Sequence, residues 1–262
     1  MACWISSWLL ASSALVLVPL VSRPNNSALD FPRQPGRRPI VCYVTDRRSL
    51  RSTPQTGLLE PVLEKIALAV SAGIDWIQLR EKDLSGRDAA LLAHRAIRSA
   101  LKRPDQTLAA TRILVNDRLD VALAEQAGGV HLRGDSLPVQ EAKRLLRAYQ
   151  ATRNVSTDFQ VGVSCHSLEA AQRAASAGAD YVFFGPVFAT PSKAAFGSPQ
   201  GLSRLSEVCH SVSVPVLAIG GITLANAPSC FSAGASGIAA IRLFQDSPDL
   251  SAVVRELHNQ RL

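Results

Sequence analysis

From Pro39 onward the chain alternates between two hydrophobic rhythms. Short β-branched or aromatic runs are IVCYVTD (40–46), DWIQLRE (75–81), ILVND (113–117), GVHLR (129–133), FQVGVSC (159–165), YVFFGPV (181–187), VPVLAIGG (214–221) and GIAAIRL (237–243). These eight runs are close to continuously apolar, the pattern of strands buried on both faces in a parallel sheet covered by helices. Between them apolar residues fall three and four apart, as at Leu59, Val62, Leu63, Ile66 and Val70, and predict amphipathic helices. Ser85 stands three residues before Asp88 as a loose capping box, and Ser247-Pro248 reads as the cap and first residue of the last helix.

An internal echo supports the repeat. Ser71-Ala72-Gly73, Ser176-Ala177-Gly178 and Ser232-Ala233-Gly234 each precede a strand, and Gln126-Ala127-Gly128 does so in weaker form. A glycine after each helix can take the left-handed conformation that ends it. Helix, glycine, strand units joined by right-handed crossovers close most simply into an α/β fold of the (β/α)8 TIM barrel type. The open doubly wound sheet is the second choice, and it lacks the Gly-x-Gly-x-x-Gly expected after its first strand.

Ahead of the barrel, Trp4 to Val21 is largely apolar and is followed by a Pro- and Arg-rich stretch, 23–38. No Lys or Arg precedes the apolar run, and Ser6, Ser7, Ser12 and Ser13 dilute it, so residues 1–38 are expected to be an irregular or signal-like, non-catalytic extension. The barrel is then a catalytic domain over 39–262.

Composition narrows the ligand. Apolar residues at 47% provide for a core, and a net charge of +7 suits anions. Arginines are dispersed and aromatics are only 5%, whereas a nucleic-acid surface usually interleaves a basic stripe with stacking rings. Cys3, Cys42, Cys165, Cys209 and Cys230 are odd in number and widely spaced, which reads as reduced thiols in a cytoplasmic protein.

A TIM barrel builds its site at the carboxyl ends of its strands. The polar residues there are Asp46; Gln78, Arg80, Glu81 and Lys82; Asn116 and Asp117; Arg133 and Asp135; Ser164 and His166; Thr190, Ser192 and Lys193; and Arg242. Donors and cations dominate, the set that a phosphate or pyrophosphate requires. Gln78, Arg80 and Lys82 share one strand face by the period of two and are expected to grip a diphosphate; the plainer alternative pairs Arg80 or Lys82 with Glu81 or Asp83. Gly220-Gly221 and the Gly237 to Arg242 run lie where barrels hold a phosphate on backbone N–H groups, although a tight turn needing positive φ explains two glycines equally well.

The set QLREK (78–82), NDR (116–118), GVSCHS (162–167), GPVFATPSK (185–193) and AIGGI (218–222), in this order, resembles the thiamine phosphate synthase family and its TenI-like thiazole tautomerase sister group. The resemblance covers about residues 40–245. It implies joining of hydroxymethylpyrimidine diphosphate to thiazole phosphate with release of pyrophosphate. It further implies that Gln78, Arg80, Lys82 and Asn116 hold the pyrimidine diphosphate, that Asp117 binds Mg²⁺, and that Ser164 and Lys193 contact the pyrimidine and diphosphate side. Thr190 and Ser192, the latter in place of the family's usual threonine, would meet the thiazole phosphate with Gly220, Gly221 and the strand-eight backbone at Ile241 and Arg242. Arg80, Lys82, Ser164 and Lys193 are the residues expected to carry catalysis. His166 is either a hydrogen-bonded structural residue or a substrate contact, and His131 and Cys165 are assigned to packing or support.

One stretch departs from the family. Synthases usually read Gly-Gln-Glu-Asp after strand four, the last Asp being a second metal ligand, whereas this chain reads Arg133-Gly134-Asp135-Ser136. Ser136 then caps the next helix, or meets Mg²⁺ through water with Asp135 reaching in, or leaves part of the metal's charge role to Arg133 and Arg242. The expected cofactor is Mg²⁺, and the expected partners are small phosphate and diphosphate substrates, with no nucleic acid and no membrane; a homo-oligomer stays open. A transferase is the first reading, a thiazole tautomerase the second, and a non-catalytic phosphate-binding barrel the third.

Overall fold

In the computed structural model the described residues are 37–50, 58–101, 110–153, 158–190, 198–260 and 262, so the expectations for residues 1–36 and for Ser192 and Lys193 lie outside them. Eight parallel strands close into a barrel in chain order. They are β1 (Ile40–Val44), β2 (Trp76–Leu79), β3 (Arg112–Asn116), β4 (Gly129–Leu132), β5 (Gln160–Cys165), β6 (Tyr181–Phe184), β7 (Val216–Ile219) and β8 (Gly237–Ala240). The last closes on the first through Ile40↔Gly237 to Tyr43↔Ala240.

Around the barrel lie α1 (Glu60–Ser71), α2 (Gly86–Leu101), α3 (Leu119–Ala124), α4 (Val139–Arg153), α5 (Leu168–Ser176), α6 (Gly201–Ser211), α7 (Ala227–Ser232), α8 (Arg242–Gln245) and α9 (Leu250–His258). Among the described residues no helix is long and apolar enough to cross a membrane.

The near-continuous apolar runs have the predicted cause. One face of each strand enters a cluster shared with the helices, as Val41, Tyr43, Ile77 and Val182 do. The other face fills the barrel interior with Ile40, Cys42, Val44, Trp76, Leu114, Tyr181, Phe183, Leu217 and Ala239. Both faces are dry, so both must be apolar.

Gly73, Gly178 and Gly234 end their helices at φ 87, 90 and 96°. The weaker echo works differently: Gln126 takes the left-handed turn at φ 53°, and Gly128 instead admits the Arg112 side chain, which a Cβ would strike. The echo also runs two residues further than the three-residue repeat. Asp75 Oδ2 accepts Val41 N–H at 2.9 Å, and Asp180 Oδ2 accepts Val161 N–H at 2.6 Å, so each aspartate ahead of one strand ties down the strand before it. Asp75 also binds Arg38 Nη2 at 2.7 Å and His258 Nε2 at 2.8 Å, joining the chain's entry into β1 to α9.

Three boundaries differ from the sequence reading. Ser85 caps α2 as expected, accepting Asp88 N–H at 3.1 Å. The last helix, however, is capped by Asp249, whose Oδ1 accepts Ala252 N–H at 2.9 Å, while Ser247 Oγ, two residues earlier, accepts Asp249 N–H. An aspartate near a helix start has both acceptor and charge in its favour. The eighth strand stops at Ala240, because Ile241 turns to φ −98°, ψ −72° and Arg242 opens α8; the strand-eight backbone contact expected at Arg242 is a helix start instead. Ser136 is not a helix cap, since its hydroxyl donates to the Arg133 carbonyl at 3.2 Å.

Candidate active site

Parity along the strands decides which side chains meet at the barrel mouth. Gln78 shares the inward face with Trp76, Asn116 with Leu114, Ser164 with Gly162, and His131 pairs in register with Asn116 and Gly162. The next inward layer is therefore polar on β2 to β5, with Gln78, Asn116, His131 and Ser164. It is apolar on the remaining arc, with Val44, Phe183, Ile219 and Ile241. One wall offers directional hydrogen bonds and the other a dry surface.

The polar residues are joined in pairs. Gln78 is buried and donates from Nε2 to Asn116 Oδ1 at 2.9 Å. His131, also buried, meets Ser164 Oγ through Nε2 at 2.9 Å and the Tyr181 hydroxyl through Nδ1 at 3.1 Å, with its ring 4.2 Å from that of Phe183. Sequence reasoning assigned His131 to support and missed Tyr181, whose ring occupies the space that the side-chain-free Gly162 leaves open.

Burial, with help from the Arg80 charge, holds the His131 imidazole down to about 3 from its usual 6.5. The folded chain keeps it neutral where the unfolded chain takes up a proton. Stability is therefore full above pH 6.5 and falls as the pH drops from there toward 3, by up to ~1.4 kcal/mol per pH unit. Urea unfolding at several pH values should show this slope in the wild type and a shallower one in His131→Gln; parallel slopes would remove His131 as the cause.

The QLREK segment is shorter as a strand than its pattern predicts. β2 ends at Leu79, because the Thr45 hydroxyl takes the Arg80 N–H at 3.0 Å in place of a ladder partner. Lys82 lies in the following turn and Arg80 just past the strand's end, so of the three donors expected on one strand face only Gln78 is on the strand. Glu81 serves the neighbouring loop: Oε1 accepts from Thr45 Oγ1 at 2.6 Å, and the carboxylate accepts the Arg47 N–H at 3.0 and 3.1 Å. Burial raises the Glu81 carboxyl above its usual range, and those bonds pull the other way. Asp83 is held by Arg47 and Arg48. Among the described residues no carboxylate forms an ion pair with Arg80, so the ion-pair alternative for this residue fails.

Thr45 and Gln245 also went unnoticed in the sequence. Gln245 accepts Asp46 N–H at 2.9 Å and returns bonds to the Asp46 carbonyl and Ser49, which fastens the first loop over the barrel.

On the opposite arc Gly220 and Gly221 both have positive φ, 97 and 66°. A side chain on either would also collide with the β6 to α6 loop, at Pro186 and at Phe188 and Ala189 respectively. That loop lies against the pair through Phe188 N–H to Gly220 O at 3.0 Å, and it leads to Thr190. His166 is exposed, and its Nδ1 donates to the Gly185 carbonyl, which orients the ring and leaves Nε2 for other partners. Cys165 is buried, with its thiol raised to about 11 by burial.

The family model for thiamine monophosphate synthase matches residues 43–244, most of the chain and nearly the whole barrel. The chain belongs to the thiamine monophosphate synthase family. It is 45% identical over 217 residues to a thiamine-phosphate synthase of Methanoculleus marisnigri, covering 83% of this chain and 92% of that protein. A thiamine-phosphate synthase of Roseiflexus sp. strain RS-1 is 39% identical over 230 residues, with 88% and 87% covered. Among solved structures, a thiamine phosphate pyrophosphorylase from Pyrococcus furiosus superposes with a TM-score of 0.67 at 31% identity, covering 83% of this chain and 93% of that one.

Within this synthase family member the metal question rests on Asp117. It stands in the left-handed region at φ 62°, held there by its N–H bond to the His131 carbonyl at 2.8 Å. Its Oδ1 is buried and has no hydrogen-bond partner among the described residues, and its Oδ2 lies 3.0 Å from Arg133 Nε. Asp135 also approaches Arg133 Nε, at 3.4 Å, and is largely exposed. Among the described residues no group of three or more His, Cys, Asp or Glu could cage a metal. A single carboxylate with one unsatisfied oxygen fits Mg²⁺, which keeps several waters and takes one or two carboxylates beside substrate phosphates.

Proposed function

We infer that this chain is a thiamine-phosphate synthase, a transferase that joins hydroxymethylpyrimidine diphosphate to thiazole phosphate and releases pyrophosphate. The observation that carries the substrate reading is the divided mouth, with paired amides and an Arg80 that has no carboxylate partner among the described residues on one arc, and glycines on the other. Asn116 Oδ1 already accepts from Gln78. That bond leaves Gln78 Oε1 as an acceptor and Asn116 Nδ2 as a donor, a pair complementary to the edge of an aminopyrimidine.

The bond that breaks joins the pyrimidine methylene to the diphosphate oxygen, and the bond that forms joins that carbon to the thiazole nitrogen. The cation left by pyrophosphate departure is stabilised by the ring, so the enzyme's task is to hold the departing anion. Arg80, Lys82 and Lys193 would supply positive charge, and Ser164 a hydroxyl. With Tyr181 donating to His131 Nδ1 and Nε2–H donating to Ser164, the serine keeps its proton for the ligand. Thr190, Ser192 and the Gly220-Gly221 backbone would take the thiazole phosphate beside the α8 start at Ile241 and Arg242. Mg²⁺, anchored by Asp117 with Asp135 and Ser136 at its margin, would offset charge on the diphosphate. Four buried free thiols among the described residues support a reducing, cytoplasmic compartment.

Incubation with both substrates and Mg²⁺ should yield thiamine phosphate and pyrophosphate. Isomerisation of a thiazole carboxylate phosphate without condensation would select the tautomerase, and binding alone the non-catalytic barrel. Asp117→Asn should lower kcat by about 10²-fold and raise the Mg²⁺ needed for half-maximal rate. Unchanged turnover and Mg²⁺ dependence would refute the metal role.

A further inference from the structure

The carboxylate assigned to the metal already has a cation on it. Arg133 Nε lies 3.0 Å from Asp117 Oδ2 and 3.4 Å from Asp135 Oδ1, so one guanidinium draws on both acids of the β3 and β4 loops. Arg133 directly follows Leu132, the last residue of β4, and its side chain is half-exposed at 48%. The other polar groups of this loop are otherwise engaged: Ser136 turns its hydroxyl to the Arg133 carbonyl, and Arg118 pairs with Asp120 at 2.6 Å. What remains is Asp117 Oδ1, buried and without a partner among the described residues. The carboxylate is thus half satisfied by the protein itself.

We propose that Arg133 is a built-in competitor for the metal at Asp117, a positioning residue that keeps divalent-cation affinity low until a diphosphate arrives. The proposal rests on the reading of Asp117 as the metal carboxylate. A guanidinium on Oδ2 lowers the negative potential at Oδ1 and repels a dication brought there. A diphosphate is a better partner for arginine than one carboxylate, because it offers more charge and a bidentate edge. When it enters, Arg133 exchanges Asp117 for the phosphate oxygens, and the carboxylate becomes available to the Mg²⁺ that the diphosphate carries. Metal and diphosphate therefore bind cooperatively, through one side chain that each releases to the other.

The test reads metal binding directly, by Mn²⁺ electron paramagnetic resonance on the substrate-free full chain, with circular dichroism as the folding control. Arg133→Gln should bind Mn²⁺ about fivefold more tightly than the wild type, since the pair removed is half-exposed and screened. Arg133→Lys keeps the charge and should stay near the wild type, and Arg133→Gln with Asp117→Asn should lose the gain. In the wild type, inorganic pyrophosphate should tighten Mn²⁺ binding more than it does in Arg133→Gln. Unchanged or weaker Mn²⁺ binding in a folded Arg133→Gln would overturn the proposal, as would equal tightening in Arg133→Lys or a gain that survives loss of Asp117. The synthase reading is judged by product formation, so either can fail while the other stands.

Discussion

Arg80→Ala is expected to lower kcat/KM by about 10³-fold while leaving the barrel folded. Removing one donor that faces charge developing in a transition state costs 10²–10³-fold, and a full guanidinium on a departing polyphosphate belongs at the upper end. Arg80 qualifies on two observations. Its neighbours Glu81 and Asp83 are taken by Thr45, Arg47 and Arg48, so its own charge has no carboxylate among the described residues. Its field nonetheless reaches the buried His131 beneath the mouth. A cation at the mouth that no carboxylate of the described residues neutralises is suited to an anionic ligand. Most of the loss should fall on kcat, because the charge on the leaving group grows as the bond breaks. Arg80→Lys should recover part of the rate, as it restores charge without the planar fork. A rate for Arg80→Ala within about threefold of the wild type would place the diphosphate elsewhere.

The second large effect is on stability. Gly162 faces into the barrel from β5, and a methyl group there would lie inside the Tyr181 ring. Tyr181 has no room to yield: it is fully buried, packed at 4.8 Å from the Trp76 ring and 5.5 Å from Phe183, and tied to His131. Gly162→Ala should therefore cost about 3 kcal/mol, the upper part of the range for overpacking a dry core. That corresponds to a fall in melting temperature of roughly 8 °C for a chain of this size. A drop of less than about 2 °C would mean that the ring can move aside, and with it the His131 to Ser164 support. Gly162→Ala with Tyr181→Phe should not rescue, because the phenyl ring still fills the space.

These two residues mark what a sequence can and cannot disclose. Arg80 was legible because charge at the end of a strand is conspicuous in a barrel, and Gly162 was present as a signal without being used. A glycine inside a strand, as in Gly162-Val163-Ser164, marks a close approach, but nothing local names the ring that approaches. The eight strands were readable because both faces of each are dry, which writes a long apolar run into the chain. Their ends were not, since a ladder stops where a distant side chain takes over a backbone group. Thr45 does this to Arg80 across 35 positions. Ile241 stops β8 by turning helical, which no periodicity in Gly237 to Leu243 announces.

The candidate metal site shows the same division. Asp117 was visible as an acid after a strand, and the departure at Asp135 and Ser136 was visible as a broken motif. That Arg133 would reach back to Asp117 depends on two loops meeting above β3 and β4, a fact of three dimensions. The sequence offered Arg133 as a stand-in for the metal's charge; the structure makes it the partner of Asp117, the candidate metal carboxylate.

The most direct test of the central claim is pyrophosphate release from hydroxymethylpyrimidine diphosphate, with Mg²⁺, in the presence and absence of thiazole phosphate. The account predicts release that keeps pace one for one with thiamine phosphate formation and collapses in Arg80→Ala. Absence of release with both substrates present, from a folded chain, would contradict it, as would release in which no thiamine phosphate appears.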